Sequence, residues 1–349
     1  MVEIDGSLGE GGGQVLRTAL ALSSITGKPI TLENIRAGRK QPGLQAQHLT
    51  SVDAAQAVCK AEVQGAYMGS TKLTFVPHEL RSGRYRFEIP TAGSSSLVLQ
   101  TILIPLSLAG SSSSVIISGG THVNWAPSYH YLAMQWLPTL ESLGWDARLS
   151  LELAGFYPKG GGRISATIRP VDKIIPINPA GRGALLSIRG VSAVANLDPT
   201  IAERMKRQAI QRLQKYFQGH PSYAMQIKIM QLQSPAKGAF IVLQAQYEHG
   251  SGCFTGLGAL GKPAERVADE AIDALIEFAE SQAAFDAHLG DQLLLPLALA
   301  TESSHFTTAS ITQHLVTNAK VIHSILPVEI DIRGEIGQPG EISVAPIVR

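Results

Sequence analysis

The feature that most constrains this chain is an order of elements that recurs three times, in pattern rather than identity. In the first copy a Gly-rich start leads into helical apolar spacing over residues 11–26, at Val15, Leu16, Leu20 and Leu22. A strand at 30–35, a polar Gly-containing loop, a helix over 42–60 and closing strands at 61–64 and 72–76 complete the unit. The same succession predicts a helix over 93–109, a strand at 115–118, a Gly119-Gly120 loop, a helix over 127–143 and strands at 147–153 and 162–168. It returns at 286–300, 304–307, 310–325, 328–332 and 341–345. Short strands alternating with helices of this length predict an α/β (α+β) fold. Each unit reads as a small four-stranded sheet with two helices on one face. Three such units imply pseudo-threefold packing of helices around a shared core.

A different pattern separates the second copy from the third. Strands at 185–195, 224–230 and 239–247 and helices at 199–217 and 263–280 read as a βαββα insert. The first of these helices carries Arg204, Lys206, Arg207, Arg212 and Lys215, and the second carries Asp269, Glu270, Asp273 and Glu277. The expected division is a large domain, 1–183 with 281–349, and an insert domain, 184–280; the units fall at about 1–80, 81–183 and 281–349.

The 349 residues leave room for more than one core, and 44% hydrophobic with 16% charged residues excludes wholesale disorder. Lys+Arg number 29 against 28 Asp+Glu, so a broad nucleic-acid binder is disfavoured while a grip on one end of a strand is allowed. Cys59 and Cys253 alone make neither a disulfide scaffold nor a cysteine zinc cluster. The start, MVEIDGSLGE, lacks the basic and apolar regions of a secretory signal. The longest apolar run, 96–109, contains Gln100, Thr101 and Pro105 and is too short for a bilayer. A cytoplasmic protein without a membrane partner is expected; oligomeric state stays open.

Several motifs invite chemistry. Gly9-Glu10-Gly11-Gly12-Gly13-Gln14, leading to Arg17, reads as a tight turn or as backbone opened to an anion at a helix start. It lacks the P-loop ending and the Rossmann spacing. Glu10 beside Arg17 favours a divalent ion near phosphates. Arg36-Ala37-Gly38-Arg39-Lys40 reads as a solvated loop or as a phosphate clamp. Ala92-Gly93-Ser94-Ser95-Ser96 suits a helix cap, and Gln100 is a polar residue in an apolar run that needs a partner. Gly155-Phe156-Tyr157-Pro158-Lys159-Gly160-Gly161-Gly162 reads as a hairpin loop. His314 has Asn318 at i+4, which makes it either a satisfied structural residue or an oriented nucleophile.

In this order these motifs resemble the RNA 3′-terminal phosphate cyclase family. The likeness is carried by Asp5-Gly6 with the Gly9–Arg17 run, Ile35–Arg39 with Pro42-Gly43-Leu44 and Gln47-His48-Leu49, and Ala92-Gly93-Ser94 with Leu97–Gln100. It continues through Ser118-Gly119-Gly120-Thr121 with Pro127, Gly155–Pro158 with Gly160–Gly162, Asp291-Gln292-Leu293 and His314-Leu315 with Thr317-Asn318. The resemblance implies an ATP-dependent, ligase-type enzyme with RNA 3′-phosphate ends as substrate. His314 would be the nucleophile that carries AMP. Arg17, Arg36, Arg39 and Gln47 would handle phosphates. Glu10 and Gln100 would serve a Mg²⁺ or Mn²⁺ ion and the triphosphate. Pro127 with His288, Leu289, Gly290, Asp291 and Gln292 would form the nucleoside pocket, with Asp291 on the ribose. The chain departs from the family pattern at His288, where Tyr is expected, and at Ala154, where a basic residue is expected. Two rivals stand against this reading. A non-catalytic cyclase-like protein of ribosome assembly would lack the nucleophilic histidine. An enolpyruvyl transferase shares the repeated architecture, but its motifs have no match here.

Overall fold

A computed structural model describes residues 1–220 and 222–346. The first unit runs β1 (Val2–Asp5), α1 (Gly13–Thr26), β2 (Ile30–Glu33), α2 (Ala46–Cys59), β3 (Glu62–Gln64) and β4 (Leu73–Val76). Its sheet order is β1-β2-β4-β3, with β1 parallel to β2 and the other pairs antiparallel. The second unit repeats this with β5 (Arg84–Glu88), α3 (Ser95–Ser107), β6 (Ser113–Gly119), β7 (Ala147–Leu153) and β8 (Gly162–Ile168), in the order β5-β6-β8-β7. Its second helix comes in three parts: α4 (Tyr129–Tyr131), a π-helical turn (Leu132–Trp136) and α5 (Leu137–Ser142).

The insert holds β9 (Leu185–Ala195), α6 (Thr200–Tyr216), β10 (Ala224–Gln231), β11 (Gly238–Tyr247), β12 (Ser251–Leu257) and α7 (Ala264–Ser281). Its sheet, β10-β9-β11-β12, has one strand more than the expected βαββα. The sequence of β12 hides it because glycines stand where side chains would alternate. A Cβ on Gly252 would meet the Phe278 ring at 2.7 Å, and one on Gly256 would meet the Val267 carbonyl at 1.9 Å. The strand therefore lies directly against α7.

The third unit contains α8 (Ala287–Ala298), β13 (Ser304–Thr308), α9 (Gln313–Ile325), β14 (Val328–Arg333) and β15 (Gly340–Pro346). Its sheet has three strands, β13-β15-β14, and not the expected four. Phe285 alone stands in the leading-strand position, bridged in parallel to Ser251 and Thr308. The reason is length: α7 ends at Ser281 and Asp286 already caps α8.

One hydrophobic core draws on all three units, with Leu16, Leu20, Val52, Leu103, Leu293 and Ile322 fully buried. A second core fills the space between the insert sheet and α6 and α7, around Leu213, Ile241, Leu275 and Phe278. The other face of that sheet gives Phe240 and Val242 to the first core. Among the described residues no helix is long and apolar enough to cross a membrane.

Candidate active site

The parallel start of each unit decides where polar side chains gather. Because β1 runs parallel to β2, α1 and α2 both begin at one end of their sheet. The same holds for α3 and α4 after β5 and β6, and for α8 and α9 after Phe285 and β13. Three hydrogen bonds tie these ends together pairwise. The Gln47 side chain in the first turn of α2 accepts the N–H of Ser94, the cap of α3, at 2.6 Å. Gln100 of α3 donates to Gln292 of α8 at 3.1 Å. Gln14 of α1 donates to Asp291 of α8 at 2.6 Å. The N-terminal parts of α1, α2, α3 and α8 thus share one region.

A chain of oriented amides runs through it. Thr18 donates to Asn318 Oδ1 at 2.7 Å, so the Asn318 amide nitrogen faces Asp291 and donates to its Oδ1 at 3.0 Å. Gln14 Nε2 donates to the same oxygen, which turns Gln14 Oε1 toward His314. That carbonyl can only accept, so Nδ1 of His314 carries the hydrogen. In the neutral ring Nε2 then keeps its lone pair; it stands 3.5 Å from Glu10 Oε2. The His314 side chain is 42% exposed, so this nitrogen is within reach of a ligand. The i+4 spacing predicted Asn318 as the orienting neighbour of His314. Gln14 takes that position instead, and Asn318 acts one step removed.

Local sequence explains the arrangement. Gly9 has φ +61°, and a Cβ there would stand 2.0 Å from Thr317 Oγ1, so only glycine lets the β1–α1 loop lie on α9. A Cβ on Gly13 would meet His48 Nε2 at 2.5 Å. Helix α1 starts after Gly12 with no side chain capping it, which leaves its first N–H groups for an anion. His48 accepts the Gln45 N–H at Nδ1, 3.2 Å away. Burial, then Arg36 and Arg17, push its pKa down to about 3, so it is neutral. Half-buried Arg17 is lowered by burial, against the pull of Asp291, to about 10 and stays charged at neutral pH.

The other predicted residues are placed less uniformly. Arg39 pairs with Glu10 at 3.2 Å and so joins the His314 cluster. Arg36, at φ +57°, donates from one nitrogen to the carbonyls of Gln41 and Gly43, both at 2.7 Å, and staples its own loop. Pro127 is half-buried before α4, and His288 is exposed in the first turn of α8; neither is hydrogen-bonded to the cluster through its side chain among the described residues. Leu289 is fully buried in the core, and a Cβ on Gly290 would meet Thr308 Oγ1 at 2.5 Å, so both have packing positions. Asp291 is raised by burial, opposed first by His314. In the sequence Gln14 is simply the last residue of the Gly-rich motif; its partner lies 300 residues away, beyond any local spacing. Among the described residues no three His, Cys, Asp or Glu side chains gather as a metal cluster.

A repeated α/β body thus holds one oriented histidine where its first and third units meet. The chain belongs to the RNA 3′-terminal phosphate cyclase family, whose sequence profile matches residues 8–332. It is 44% identical over 329 residues to the RNA 3′-terminal phosphate cyclase of Nostoc punctiforme, covering 92% of this chain and 93% of that one. To the protein of the same name from Archaeoglobus fulgidus it is 40% identical over 339 residues, covering 96% and 98%. Among solved structures, the enolpyruvyl transferase NikO of Streptomyces tendae aligns with a TM-score of 0.41 at 9% identity, over 99% of this chain and 48% of that one.

Proposed function

We propose that this enzyme uses ATP to convert an RNA 3′-terminal phosphate into a 2′,3′-cyclic phosphodiester through a covalent histidine–AMP intermediate. The observation that carries the reading is the Asp291–Gln14–His314 chain, which leaves a lone pair on Nε2 at the uncapped start of α1. First, His314 Nε2 attacks the α-phosphorus of ATP and pyrophosphate leaves. Second, an oxygen of the RNA 3′-phosphate attacks the same phosphorus, the P–N bond breaks, and the RNA end carries AMP. Third, the neighbouring 2′-OH attacks the RNA phosphorus, loses its proton, and AMP leaves as the ring closes. Proximity of the 2′-OH drives the last step.

Arg17, Arg39 and the helix N-termini would neutralise charge developing on the phosphates. Arg36 would act by holding the loop that carries Arg39, with its remaining donors free for phosphate. Glu10 offers a single carboxylate, which suits a Mg²⁺ or Mn²⁺ ion that takes its other ligands from phosphate and water. Such an ion, when bound, would stabilise charge on phosphate oxygens. Gln100 and Gln292 would face the triphosphate side. Pro127 and His288 would flank the base, with the backbone of Leu289 and Gly290 behind them. Asp291 would reach the ribose through Oδ2, since Oδ1 serves Gln14 and Asn318. We place the reaction in the cytoplasm, in keeping with two free, buried cysteines. The two hydrophobic cores support a large domain, 1–183 with 281–349, and an insert at 184–280.

A 3′-phosphorylated oligoribonucleotide incubated with the protein and ATP tests the reading. Its end should become resistant to phosphatase only when ATP is present. An end that stays phosphatase-sensitive would sink the proposal, and ATP-independent closure would remove the AMP route.

A further inference from the structure

Among the described residues three Phe, Tyr or Trp side chains are exposed: Trp125 at 100%, Tyr157 at 75% and Tyr67 at 65%. All three lie at the site end. Trp125 is on the β6–α4 loop. Strands β6 and β7 are both antiparallel to β8, so the β7–β8 loop with Tyr157 emerges at the same end. By the same topology Tyr67, on the β3–β4 loop, emerges beside the loop of Arg36 and Arg39. An exposed apolar ring is ordinary singly, but the Trp125 and Tyr157 loops are joined, and a pair of open rings on joined loops points to a ligand.

The two second-unit loops are joined and firmly based. The N–H groups of Thr121 and His122 donate to the Gly155 carbonyl at 2.9 and 3.1 Å. Tyr129 N–H closes the loop on the Thr121 carbonyl at 2.8 Å, which puts Trp125 near its apex. Beneath, the His122 ring stacks on Phe240 at 4.2 Å and on Phe156 at 5.4 Å. Trp125 has φ +63°, a backbone region that bulky residues rarely occupy. The loop adjoins the active-site frame, because Ser95 N–H donates to the Gly120 carbonyl at 2.9 Å. Lys159 follows Tyr157 closely, and the Tyr67 loop is hydrogen-bonded to Leu44, just beyond Arg39 and Lys40.

We propose that Trp125 and Tyr157 form a stacking platform for the bases next to the 3′-terminal phosphate of single-stranded RNA. Open rings interleaved with cations match an unpaired strand, whose bases stack without sequence preference while the backbone meets positive charge. The near-neutral chain fits a tract of a few nucleotides. A fully exposed indole suits a strand that continues into solvent, whereas the base of ATP needs an enclosed pocket. The platform rests on the reading of an RNA end as substrate.

The test compares wild type, Trp125→Ala, Trp125→Phe and Tyr157→Ala on a 3′-phosphorylated oligoribonucleotide. Trp125→Ala should raise KM for the oligonucleotide about tenfold. Its kcat should hold, and Trp125→Phe should restore most of the loss. Tyr157→Ala should raise KM several-fold, and labelling of the protein by ATP alone should stay normal. Unchanged KM in both alanine variants overturns the platform, and so does a raised ATP requirement in place of a raised RNA requirement. Quenching of tryptophan fluorescence by the oligonucleotide needs no turnover. Trp136 and Trp145 are buried, so the quench should vanish in Trp125→Phe, and a quench that persists there overturns the proposal. If wild type shows the Trp125-dependent quench but closes no ends, the reaction fails and the platform stands.

Discussion

Helix α6 and the loop after β2 both carry dense cations, and the fold puts them to different use. On α6, Arg204 grips Glu265 of α7 through two bonds of 2.8 and 2.6 Å. Arg212 reaches Asp269 at 2.9 Å and Asp273 at 2.8 Å. Those cations are answered by acids of the same insert. In the loop, Arg36 turns to backbone carbonyls, and Arg39 turns to Glu10, which itself stands 3.5 Å from His314 Nε2. Counting cations therefore does not find a ligand site. What separates the two is whether a neighbouring element supplies a matching row of carboxylates.

The sharpest break in this comparison is at the histidine. His314→Ala or His314→Asn should abolish AMP transfer, a loss of at least about 10³-fold. A half-exposed side chain leaves no cavity, so the melting temperature should hold. Covalent AMP on the alanine protein would overturn the assignment. Next comes Gln14→Ala, which frees the imidazole to rotate or change tautomer. We expect roughly 10²-fold slower adenylation. A purely structural role would leave the pH profile of adenylation in place, whereas loss of the tautomer lock should shift it.

The cations themselves come third. Arg39→Ala should slow adenylation or cyclisation about tenfold at unchanged stability. Arg36→Ala should slow it as well, and it should also lower the melting temperature because two loop carbonyls lose their donor. Arg204→Ala and Arg212→Ala should leave turnover intact, with little change in stability, because surface ion pairs contribute little. Equal catalytic loss in all four proteins would erase the distinction.

Acid should separate the same two regions. In the body, burial lowers His48 to about 3, lowers His130 to about 4, and lowers His122 well below 6.5. The unfolded chain binds protons on these rings first, so their neutral contribution is full above pH 6.5 and is lost as pH falls toward 4 and 3. Asp286 and Asp291, raised by burial, partly oppose this by gaining protons in the folded state. Hydrogen exchange between pH 7.5 and 5 should show the body loosening before the α6–α7 pair. Uniform loosening would contradict it.

The smallest effect concerns His288. It is exposed, and a phenol covers more of a purine than an imidazole does. His288→Tyr should tighten ATP binding several-fold. Identical affinities in the two proteins would remove residue 288 from the pocket.

The strands and helices with clean periodicity were legible from sequence, and so was their threefold recurrence. The leading strands were not. In β1 only Ile4 is buried, and β5 (Arg-Tyr-Arg-Phe-Glu) buries none of its residues fully, so neither shows a core-facing stripe. The sequence singles out His314 as a candidate but carries no sign of Gln14 as the residue that holds its ring. A glutamine just inside a helix start looks like an ordinary first-turn residue, and nothing local links it to α9. The basic loop was legible as a cluster, while its division into one staple and one ion pair depends on turns that close in space.

The most direct measurement is to map the AMP. The protein is incubated with α-labelled ATP, digested, and the modified residue located by mass spectrometry, with ¹⁵N NMR of the free protein reporting the imidazole tautomer. The expected result is acid-labile AMP on His314 alone, with Nδ1 protonated and Nε2 bare before ATP is added. AMP on another residue, closure of RNA ends without any protein-bound AMP, or a hydrogen on Nε2 would contradict the central claim.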